Sequence, residues 1–218
     1  MRISVAIDGP AGAGKSTIAK LVAKKFDLMY INTGAMYRAV TLKSEENGLK
    51  PENINEICSL IKDMKMKFEN DDLILDGVNI QDKITLPEIS QKVSAYASIP
   101  EVRKMLVELQ RGMSKEFNVI MDGRDIGTVV LKDSPFKFFL TATAEERANR
   151  RFKELQDRNV ECSYDEILKD IIERDYKDTH RETDPLKKAD DAIEVDTTGL
   201  NIEQVTEKIN DLIAEKLK

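Results

Sequence analysis

A glycine-rich octapeptide near the start of this chain constrains its fold more than any other feature. Residues 9–16 read GPAGAGKS and fit the pattern G-x-x-x-x-G-K-[S/T] in full. The short apolar run Ile3–Ile7 precedes the octapeptide and predicts a buried strand, whereas apolar residues recur at helical spacing behind it. The octapeptide therefore lies between a strand and a helix that begins near Lys15, which is the context in which such a loop binds phosphate groups.

The spacing within this phosphate loop has a chemical reason. Glycines let the backbone curl so that successive N–H groups face phosphate oxygens, and the positive end of the following helix adds to them. Lys15 supplies a mobile positive charge for the β- and γ-phosphates, and Ser16 can place its hydroxyl on Mg²⁺. The residues predicted to bind a nucleoside triphosphate are Gly9, Pro10, Ala11, Gly12, Ala13, Gly14, Lys15 and Ser16.

Short apolar runs alternate with helical segments along the rest of the chain. The strand candidates are Ile3–Ile7, Leu28–Ile31, Val119–Met121, Phe136–Leu140 and Ile193–Val195. Helices are predicted from Lys15, from Thr33 to about Asn47, over Glu101–Phe117 and over Ile202–Leu217, with capping boxes at Thr143 and Ser163 before two more. This alternation indicates an α/β fold with a P-loop NTPase-type parallel sheet flanked by helices.

A length of 218 residues suggests one domain with inserted lobes. The segment from Pro51 to about Ser98 differs from the rest in its pattern of predicted elements. It combines a predicted helix over Ile54–Met66 with short strand candidates around the hairpin turn Asp76-Gly77. We predict a core of about residues 1–36, 118–145 and 190–218, an inserted lobe of about residues 37–105 and a short lid of about residues 150–165.

Composition excludes several classes of protein. The formal net charge of −6 argues against a nonspecific nucleic-acid binder, which needs a basic face. No apolar run approaches the ~18 residues of a membrane-spanning helix. Cys58 and Cys162 lack metal-ligand spacing, which favours thiols in a reducing compartment. We therefore expect a cytoplasmic protein. A monomer is the default expectation for its oligomeric state. His180, the lone histidine, fits a surface position better than a catalytic base.

Arginines that could receive a second phosphate lie at the predicted ligand crevice, outside the carboxyl ends of the strands. Arg38 lies just past one such loop, and Arg124-Asp125 directly follow the strand Val119–Met121. Arg174, Asp178 and Arg181 fall within one charged segment, and the first two are i,i+4 neighbours if that segment is helical. Taken singly, each arginine also fits a solvated surface position.

Four motifs together resemble bacterial cytidylate kinase. They are residues 8–17 (DGPAGAGKST), 32–38 (NTGAMYR), 122–130 (DGRDIGTVV) and 173–181, which begins ERD and ends in Arg181. The resemblance extends over nearly the whole chain, including Asp196-Thr197-Thr198. The second and third motifs are specific to that family, whereas many families share the phosphate loop. Asn32 stands where the family usually has Asp, and Thr33 where some members have Ser.

The resemblance implies a nucleoside monophosphate kinase that transfers a phosphoryl group from ATP to CMP or dCMP, with Mg²⁺. The lobe would bind the monophosphate, and Thr17 would join the ATP-binding residues. Arg38, Arg124 and Arg181 would hold the 5′-phosphate, and Arg174 and Asp178 the sugar. Ser94, Arg103 and Asp125 would read the cytosine, with Thr33 and Tyr37 also in the CMP site. Lys15, Arg124 and Arg181 would be catalytic.

The implied reaction has chemical consequences for these residues. Asp125 can accept a hydrogen bond from the exocyclic amino group of cytosine, whereas uracil would present a carbonyl to it. A lid would keep water from the phosphoryl group. Its arginine candidates are Arg147, Arg150, Arg151 and Arg158 around the polar connection Asp157–Ser163, although an exposed helical face also explains some of them.

Two other functions stay open at this point. The first is a kinase for another acceptor, such as UMP, AMP or shikimate; the long Pro51–Ser98 insertion argues against a compact shikimate-type enzyme. The second is a nucleotide-switched binding module like a small GTPase, but the guanine-specificity motif Asn-Lys-x-Asp is absent from the sequence.

Overall fold

A computed structural model of the chain describes residues 2–157 and 160–217. Its strands are β1 (Ser4–Asp8), β2 (Met29–Asn32), β3 (Met66–Glu69), β4 (Asp72–Leu75), β5 (Val78–Asn79), β6 (Val119–Gly123), β7 (Phe136–Thr141) and β8 (Ile193–Asp196). Its helices are α1 (Lys15–Phe26), α2 (Thr33–Glu46), α3 (Ile54–Asp63), α4 (Gln81–Ile84), α5 (Pro87–Ala97), α6 (Pro100–Glu116), α7 (Ala144–Asp157), α8 (Tyr164–His180) and α9 (Ile202–Leu217). A π-helical turn covers Ile126–Val130.

The central sheet has five strands in the order β2-β6-β1-β7-β8, and every neighbouring pair is parallel. Val5, Ala6 and Ile7 of β1 are fully buried because this strand lies in the middle of the sheet, with helices on both faces. The predicted α/β fold is confirmed, and the five strand candidates match β1, β2, β6, β7 and β8 to within two residues at either end.

Apolar stripes at helical spacing explain why helices cover both faces of this sheet. On one face, Ile18 and Val22 of α1 pack in the same cluster as Ile209 and Ile213 of α9. On the other face, α2 and α6 contribute to a larger cluster that includes Met121 of β6. Burial of these two clusters is the main source of stability expected for the central sheet.

The segment between α2 and β6 carries its own small sheet, in which β3, β4 and β5 are antiparallel. The predicted hairpin at Asp76-Gly77 is confirmed, since β4 and β5 flank it. The predicted helix over Ile54–Met66 is too long: α3 ends at Asp63, and Met66 pairs with Leu75 in the sheet. Helix α5 was not predicted, although Ile89, Val93 and Tyr96 bury one of its faces.

The two predicted capping boxes differ in outcome. The backbone N–H of Glu146 donates to Thr143 Oγ1 (3.2 Å), so Thr143 caps α7 as predicted. The prediction is wrong for Ser163, which precedes α8 but whose side chain makes no capping hydrogen bond. Helix α7 also extends to Asp157, so the first half of the predicted lid is helical.

Parallel strands place their carboxyl ends at one edge of the sheet, and this edge carries the predicted site. The phosphate loop follows β1, Thr33 follows β2, and Arg124-Asp125 follow β6. Because β1 lies between β6 and β7, the phosphate loop emerges beside the loop that carries Arg124 and Asp125.

Candidate active site

The phosphate loop adopts a backbone conformation that requires glycine. Gly9 has φ +148°, and a Cβ atom placed there would lie 2.1 Å from the carbonyl oxygen of Leu140 in β7. Gly14 has φ +82° and directly precedes α1, so the first N–H groups of the helix have no side-chain cap. These N–H groups and the positive end of the helix make an anion site at this loop.

Lys15 lies inside this loop in an environment that disfavours its charge. Its Nζ donates to the Pro10 carbonyl oxygen (2.6 Å). Burial, followed by the positive charges of Arg124 and Arg174, holds the pKa of Lys15 well below its usual range. Negative phosphate oxygens would reverse this effect, because an opposite charge nearby favours the ammonium form.

Ser16 meets a carboxylate that the sequence analysis did not single out. Ser16 Oγ donates to Asp122 Oδ2 (2.7 Å), and the Tyr30 hydroxyl donates to Asp122 Oδ1 (2.9 Å). Thr33 Oγ1 donates to the Asp122 carbonyl oxygen (2.7 Å). The signal for Asp122 was present in the sequence, since a carboxylate at the end of a buried strand points to the crevice beside the phosphate loop.

Asn32 has a structural role that does not need a negative charge. Its Oδ1 accepts a hydrogen bond from the backbone N–H of Ala35 (2.9 Å) and so caps α2. Asn and Asp are equally good at this position of a helix, because either supplies the oxygen. The departure from the family's usual Asp is therefore compatible with the local structure.

Lys15, Arg38, Arg124 and Arg174 form a cluster of like charges, here called the cation cluster. Burial and Arg124 lower the pKa of Arg38, and burial, Arg124 and Arg38 lower the pKa of Arg174 to about 10. The Nε atoms of Arg38 and Arg174 are buried and have no hydrogen-bond partner among the residues that the structure describes. Buried donors normally have partners. The cation cluster is therefore suited to receive several anionic oxygens at once.

Asp178 supplies one carboxylate next to this cluster. Arg124 Nε donates to Asp178 Oδ2 (2.7 Å), and both side chains are largely buried. Burial raises the pKa of Asp178, but the positive charges of Arg124 and Arg174 lower it by more. The pKa of Asp178 therefore lies below its usual value. Arg174 and Asp178 both lie on α8, which confirms the predicted helical i,i+4 relation.

A second group of charges lies beside the first and consists of Arg103, Asp125, Arg181 and Asp184, here called the base cluster. Arg103 Nη2 donates to Asp125 Oδ2 (2.5 Å), and Arg103 Nε donates to Asp184 Oδ2 (3.0 Å). Arg181 Nη2 lies 3.4 Å from Asp125 Oδ1. Arg103 does not lie on the exposed face of α6, because its side chain is only 1% exposed.

Tyr37 lies next to Arg103, and Ser94 lies on α5, the helix that contacts Arg103 through Ala97. The Arg103 guanidinium is 5.3 Å from the centre of the Tyr37 ring, and burial raises the pKa of the Tyr37 hydroxyl. Arg103 Nη1 donates to the carbonyl oxygen of Ala97 (3.1 Å), one helical turn after the half-buried Ser94 on α5. The structure therefore brings Arg103 and Asp125, two of the three residues that the family resemblance implied for base reading, into direct contact, and the role of Ser94 stays a prediction.

Comparison with known proteins decides the family. A family model described as cytidylate kinase matches residues 5–215. The cytidylate kinases of Clostridium perfringens and Clostridium acetobutylicum are 65% and 58% identical to this chain over 208 and 217 residues. The first match covers 95% of this chain and 96% of the relative, and the second covers 100% of both. The chain belongs to the cytidylate kinase family. The family predicted from the sequence motifs is thereby confirmed.

More distant structures share the fold of this cytidylate kinase family member. An uncharacterized protein from Eubacterium ventriosum has a TM-score of 0.55 at 13% identity, with 99% of each chain covered. A sugar kinase from Janibacter sp. has a TM-score of 0.51 at 15% identity, covering 98% of this chain and 95% of the other. At these identities the likeness concerns the fold alone.

The predicted lid arginines of this family member lie in different environments. Arg147 is buried, donates to the carbonyl oxygen of Ala11 in the phosphate loop (3.0 Å) and pairs with Asp175 (2.7 Å). Arg150 donates to the Thr197 carbonyl oxygen (2.6 Å), which ties α7 to the segment after β8. These contacts make Arg147 and Arg150 supports of the fold in this conformation.

The other two lid candidates are less constrained by the structure. Arg151 is half exposed and pairs with Glu154 one turn along α7 (2.8 Å). It also contributes to the lowered pKa of Arg38, after burial and Arg124. Arg158 lies outside the described residues. A lid role for these two arginines stays a prediction.

His180 has the surface position that its sequence neighbourhood indicated. It lies at the exposed end of α8, and its ring stacks on that of Tyr176 with 4.0 Å between the ring centres. Its Nδ1 is 3.0 Å from the Tyr176 carbonyl oxygen. These contacts give it no part in the site described above.

Proposed function

We propose that this chain transfers the γ-phosphoryl group of ATP to CMP and dCMP, which yields ADP with CDP or dCDP. The observation that carries the proposal is the buried cation cluster between the phosphate loop and the base cluster. One side of it offers Lys15 to a triphosphate, and the other offers Arg38 and Arg124 to a second phosphate. Family membership, with relatives named cytidylate kinase, supports cytosine as the base of the acceptor.

The reaction needs no general base on the protein. The second pKa of a phosphate monoester is about 6, so the CMP phosphate is largely ionised near neutral pH. One of its oxygens attacks the γ-phosphorus in line, the bond from that phosphorus to the β,γ-bridging oxygen breaks, and ADP leaves with the electron pair of that bond. The surface position of His180 agrees with this scheme.

The enzyme's task is then electrostatic. Two anionic substrates repel each other, and negative charge spreads over the oxygens of the migrating group. Burial first, and the positive charge of Arg124 second, lower the pKa values of Lys15, Arg38 and Arg174 in the protein. Donors that are preorganised in a site of this kind stabilise developing charge without further rearrangement.

Ser16 and Asp122 are the residues that fit Mg²⁺ on the protein side. Their side-chain oxygens lie 2.7 Å apart at the end of the phosphate loop. Mg²⁺ takes oxygen ligands and is usually held by one or two protein groups together with substrate phosphates. When bound, the ion would neutralise charge on the β- and γ-phosphates. The described residues hold no cluster of three or more His, Cys, Asp or Glu that could bind a metal ion.

For the acceptor we propose the roles that the family resemblance implied. Arg38, Arg124 and Arg181 hold the CMP phosphate, and Arg174 and Asp178 bind the sugar. Ser94, Arg103 and Asp125 read the cytosine. The contacts between Arg103 and Asp125 support the last assignment, because a donor and an acceptor fixed side by side suit the ring acceptors and the amino group of cytosine. Arg174 also lowers the pKa of Lys15, and burial and Arg124 lower the pKa of Arg174, so we propose an additional contact between Arg174 and phosphate.

The remaining sequence predictions belong to the same proposal. They comprise the lobe of about residues 37–105 for CMP, the lid of about residues 150–165, a monomer, a cytoplasmic location and no nucleic-acid partner. Cys58 and Cys162 are both free thiols, in agreement with a reducing compartment. In the part of the chain that the structure describes, no helix combines the length and the apolar character of a membrane span.

A substrate panel with ATP and Mg²⁺ tests the function. CMP, dCMP, UMP, AMP and shikimate are compared by kcat/KM, with coupled ADP release as the readout. We expect CMP or dCMP to exceed the other acceptors at least about tenfold, since an unpaired buried polar group penalises the wrong base. A tenfold advantage for UMP or AMP would contradict the cytidine assignment. ADP release that is independent of any acceptor would favour a nucleotide switch.

A further inference from the structure

Asp184 occupies a central position in the base cluster, although neither the sequence motifs nor the family resemblance singled it out. It lies in the segment after α8, between Arg181 and the buried Leu186. The backbone N–H of Leu186 donates to the carbonyl oxygen of Asp178 (2.8 Å), which ties this segment back onto α8. The segment therefore holds Asp184 next to the site rather than in a loose loop.

Two different groups of Asp184 bind two different arginines. Its carboxylate accepts from Arg103 Nε (3.0 Å). Its backbone carbonyl oxygen accepts from Arg181 Nε (2.7 Å) and also from Arg181 Nη2. Because Asp125 contacts both arginines from the other side, the four residues of the base cluster form a closed ring of contacts. The ring contains two cations and two anions and is balanced in charge.

All three nitrogen atoms of the Arg103 guanidinium donate a hydrogen bond in this arrangement. Nε donates to Asp184, Nη1 to the Ala97 carbonyl oxygen and Nη2 to Asp125. A guanidinium has five N–H donors in one plane, so these contacts fix which two remain for a ligand. Loss of the Asp184 carboxylate would leave a buried cation with one carboxylate partner, and such a cation moves or draws in water.

The backbone of Asp184 is strained in a way that its side chain makes tolerable. Its φ is +49°, in the left-handed region, where Asp and Asn are the common residues after Gly. The next residue, Pro185, normally pushes its predecessor towards extended conformations. Strained residues that the surroundings hold in place are concentrated at functional sites.

We propose that Asp184 is a positioning residue for base recognition, whose carboxylate orients Arg103 and whose carbonyl oxygen orients Arg181. It acts through these two arginines and need not touch the nucleotide itself. The inference rests on the proposed function, because it assumes that Arg103 reads the cytosine ring. Arg103 donates to ring acceptors, and uracil carries an N–H at N3 where cytosine has an acceptor. The orientation of Arg103 therefore contributes to the choice between the two bases.

The test compares Asp184→Gly and Asp184→Asn with wild type. Gly tolerates the left-handed backbone but has no carboxylate, whereas Asn also tolerates it and retains one oxygen acceptor for Arg103. For Asp184→Gly we expect KM for CMP to rise about tenfold or more, the range expected for a lost charge-assisted hydrogen bond. We expect KM for ATP to change less than about twofold and the CMP/UMP ratio of kcat/KM to fall. For Asp184→Asn, KM for CMP and the CMP/UMP ratio should lie between those of wild type and Asp184→Gly.

The matched control is Asp190→Asn, an exposed aspartate six residues further along, which should leave both KM values unchanged. If Asp184→Gly fails to fold, Asp184→Asn decides the matter through its rise in KM for CMP. Unchanged values for CMP in the folded variants would overturn the inference, as would an equal rise in KM for ATP, which indicates a general structural defect. A wild-type enzyme without preference for CMP would instead overturn the proposed function.

Discussion

In the phosphate loop, the groups available to an anion are mostly backbone N–H groups of consecutive residues, whereas the acceptor side uses side chains from separate elements. Gly9 and Gly14 shape the first region through backbone conformation alone. Arg38 comes from α2, Arg124 from the end of β6 and Arg174 from α8. A local backbone feature leaves a contiguous pattern in the sequence, while a site gathered from distant elements leaves isolated charges.

The two regions also differ in how they hold their charges before substrate arrives. In the phosphate loop, the hydrogen-bond partner of Lys15 within the described part of the chain is the carbonyl oxygen of Pro10. In the acceptor region, Arg124 is paired with Asp178, and Arg103 with Asp125. In the donor region, Asp122 and Asp8 thus favour the charge of Lys15 without a hydrogen bond to it among the described residues, whereas in the acceptor region carboxylates contact Arg124 and Arg103 directly. This difference predicts that substitutions in the two regions affect different kinetic constants.

The largest effect is expected for Lys15→Ala on the donor side. Loss of a positioned cation at the γ-phosphate should reduce kcat by about 10²–10³. Binding of CMP should change little, because Lys15 is not among the residues proposed to bind it. Steady-state rates and CMP titration by calorimetry measure the two quantities. Lys24→Ala, an exposed lysine on the same helix, is the control. A kcat within fivefold of wild type would remove Lys15 from the chemistry.

Arg124→Ala should impair the use of CMP and leave the binding of ATP nearly unchanged, the reverse of the result expected for Lys15→Ala. We expect kcat/KM for CMP to fall about 10²-fold, because a charged donor to phosphate is lost and Asp178 loses its ion-pair partner. ATP affinity should stay nearly intact, since the loop backbone makes the triphosphate site. Nucleotide titrations and coupled assays separate the two, with the exposed Arg2→Ala as the control. Normal turnover of CMP would exclude Arg124 from the acceptor site.

Asp8 connects the donor and acceptor regions, so its substitution should affect both substrates alike. It directly precedes Gly9, and its carboxylate accepts the backbone N–H groups of Ile126 and Gly127 (2.7 Å each), just after Asp125. Burial raises the pKa of the Asp8 carboxyl to about 7, although these two hydrogen bonds oppose that shift. The structure thus anchors the Asp125 loop to the strand that leads into the phosphate loop.

For Asp8→Asn, an amide replaces one of the two accepting oxygens, and one buried N–H loses its partner. We expect unfolding free energy to fall by about 1–3 kcal/mol and KM to rise a few-fold for ATP and CMP alike. Urea denaturation and steady-state kinetics provide the measurements. Asp133→Asn, at an exposed aspartate, serves as the control. A change in only one of the two KM values would show that the regions are not coupled through Asp8.

The difference between the regions also explains what could be predicted from sequence. The phosphate loop and its flanking elements follow from a local pattern, and Arg124 and Asp125 follow from their place at a strand end. Arg103 was implied only by family resemblance, because nothing in its own neighbourhood indicates that α6 buries it against Asp125.

Three features escaped prediction for related physical reasons. Asp122 and Asp184 gain their importance from contacts with residues more than 80 positions away, Ser16 and Arg103 respectively. The π-helical turn after Asp125 depends on the anchoring of Ile126 and Gly127 by Asp8. The strand-end position of Asp122 was a signal for the crevice, but the partners of Asp122 and Asp184 are decided by the packing of the sheet and helices, which a single sequence does not record.

The cation cluster has a consequence for the folded state itself. Folding buries Lys15, Arg38 and Arg174 and places them near Arg124, which disfavours their charges, so assembling the site costs free energy. Polyvalent anions that bind the folded chain but not the unfolded one offset this cost by mass action. The nucleotides of a cell would then stabilise the folded protein. Their depletion would lower its free energy of unfolding as well as remove its substrates.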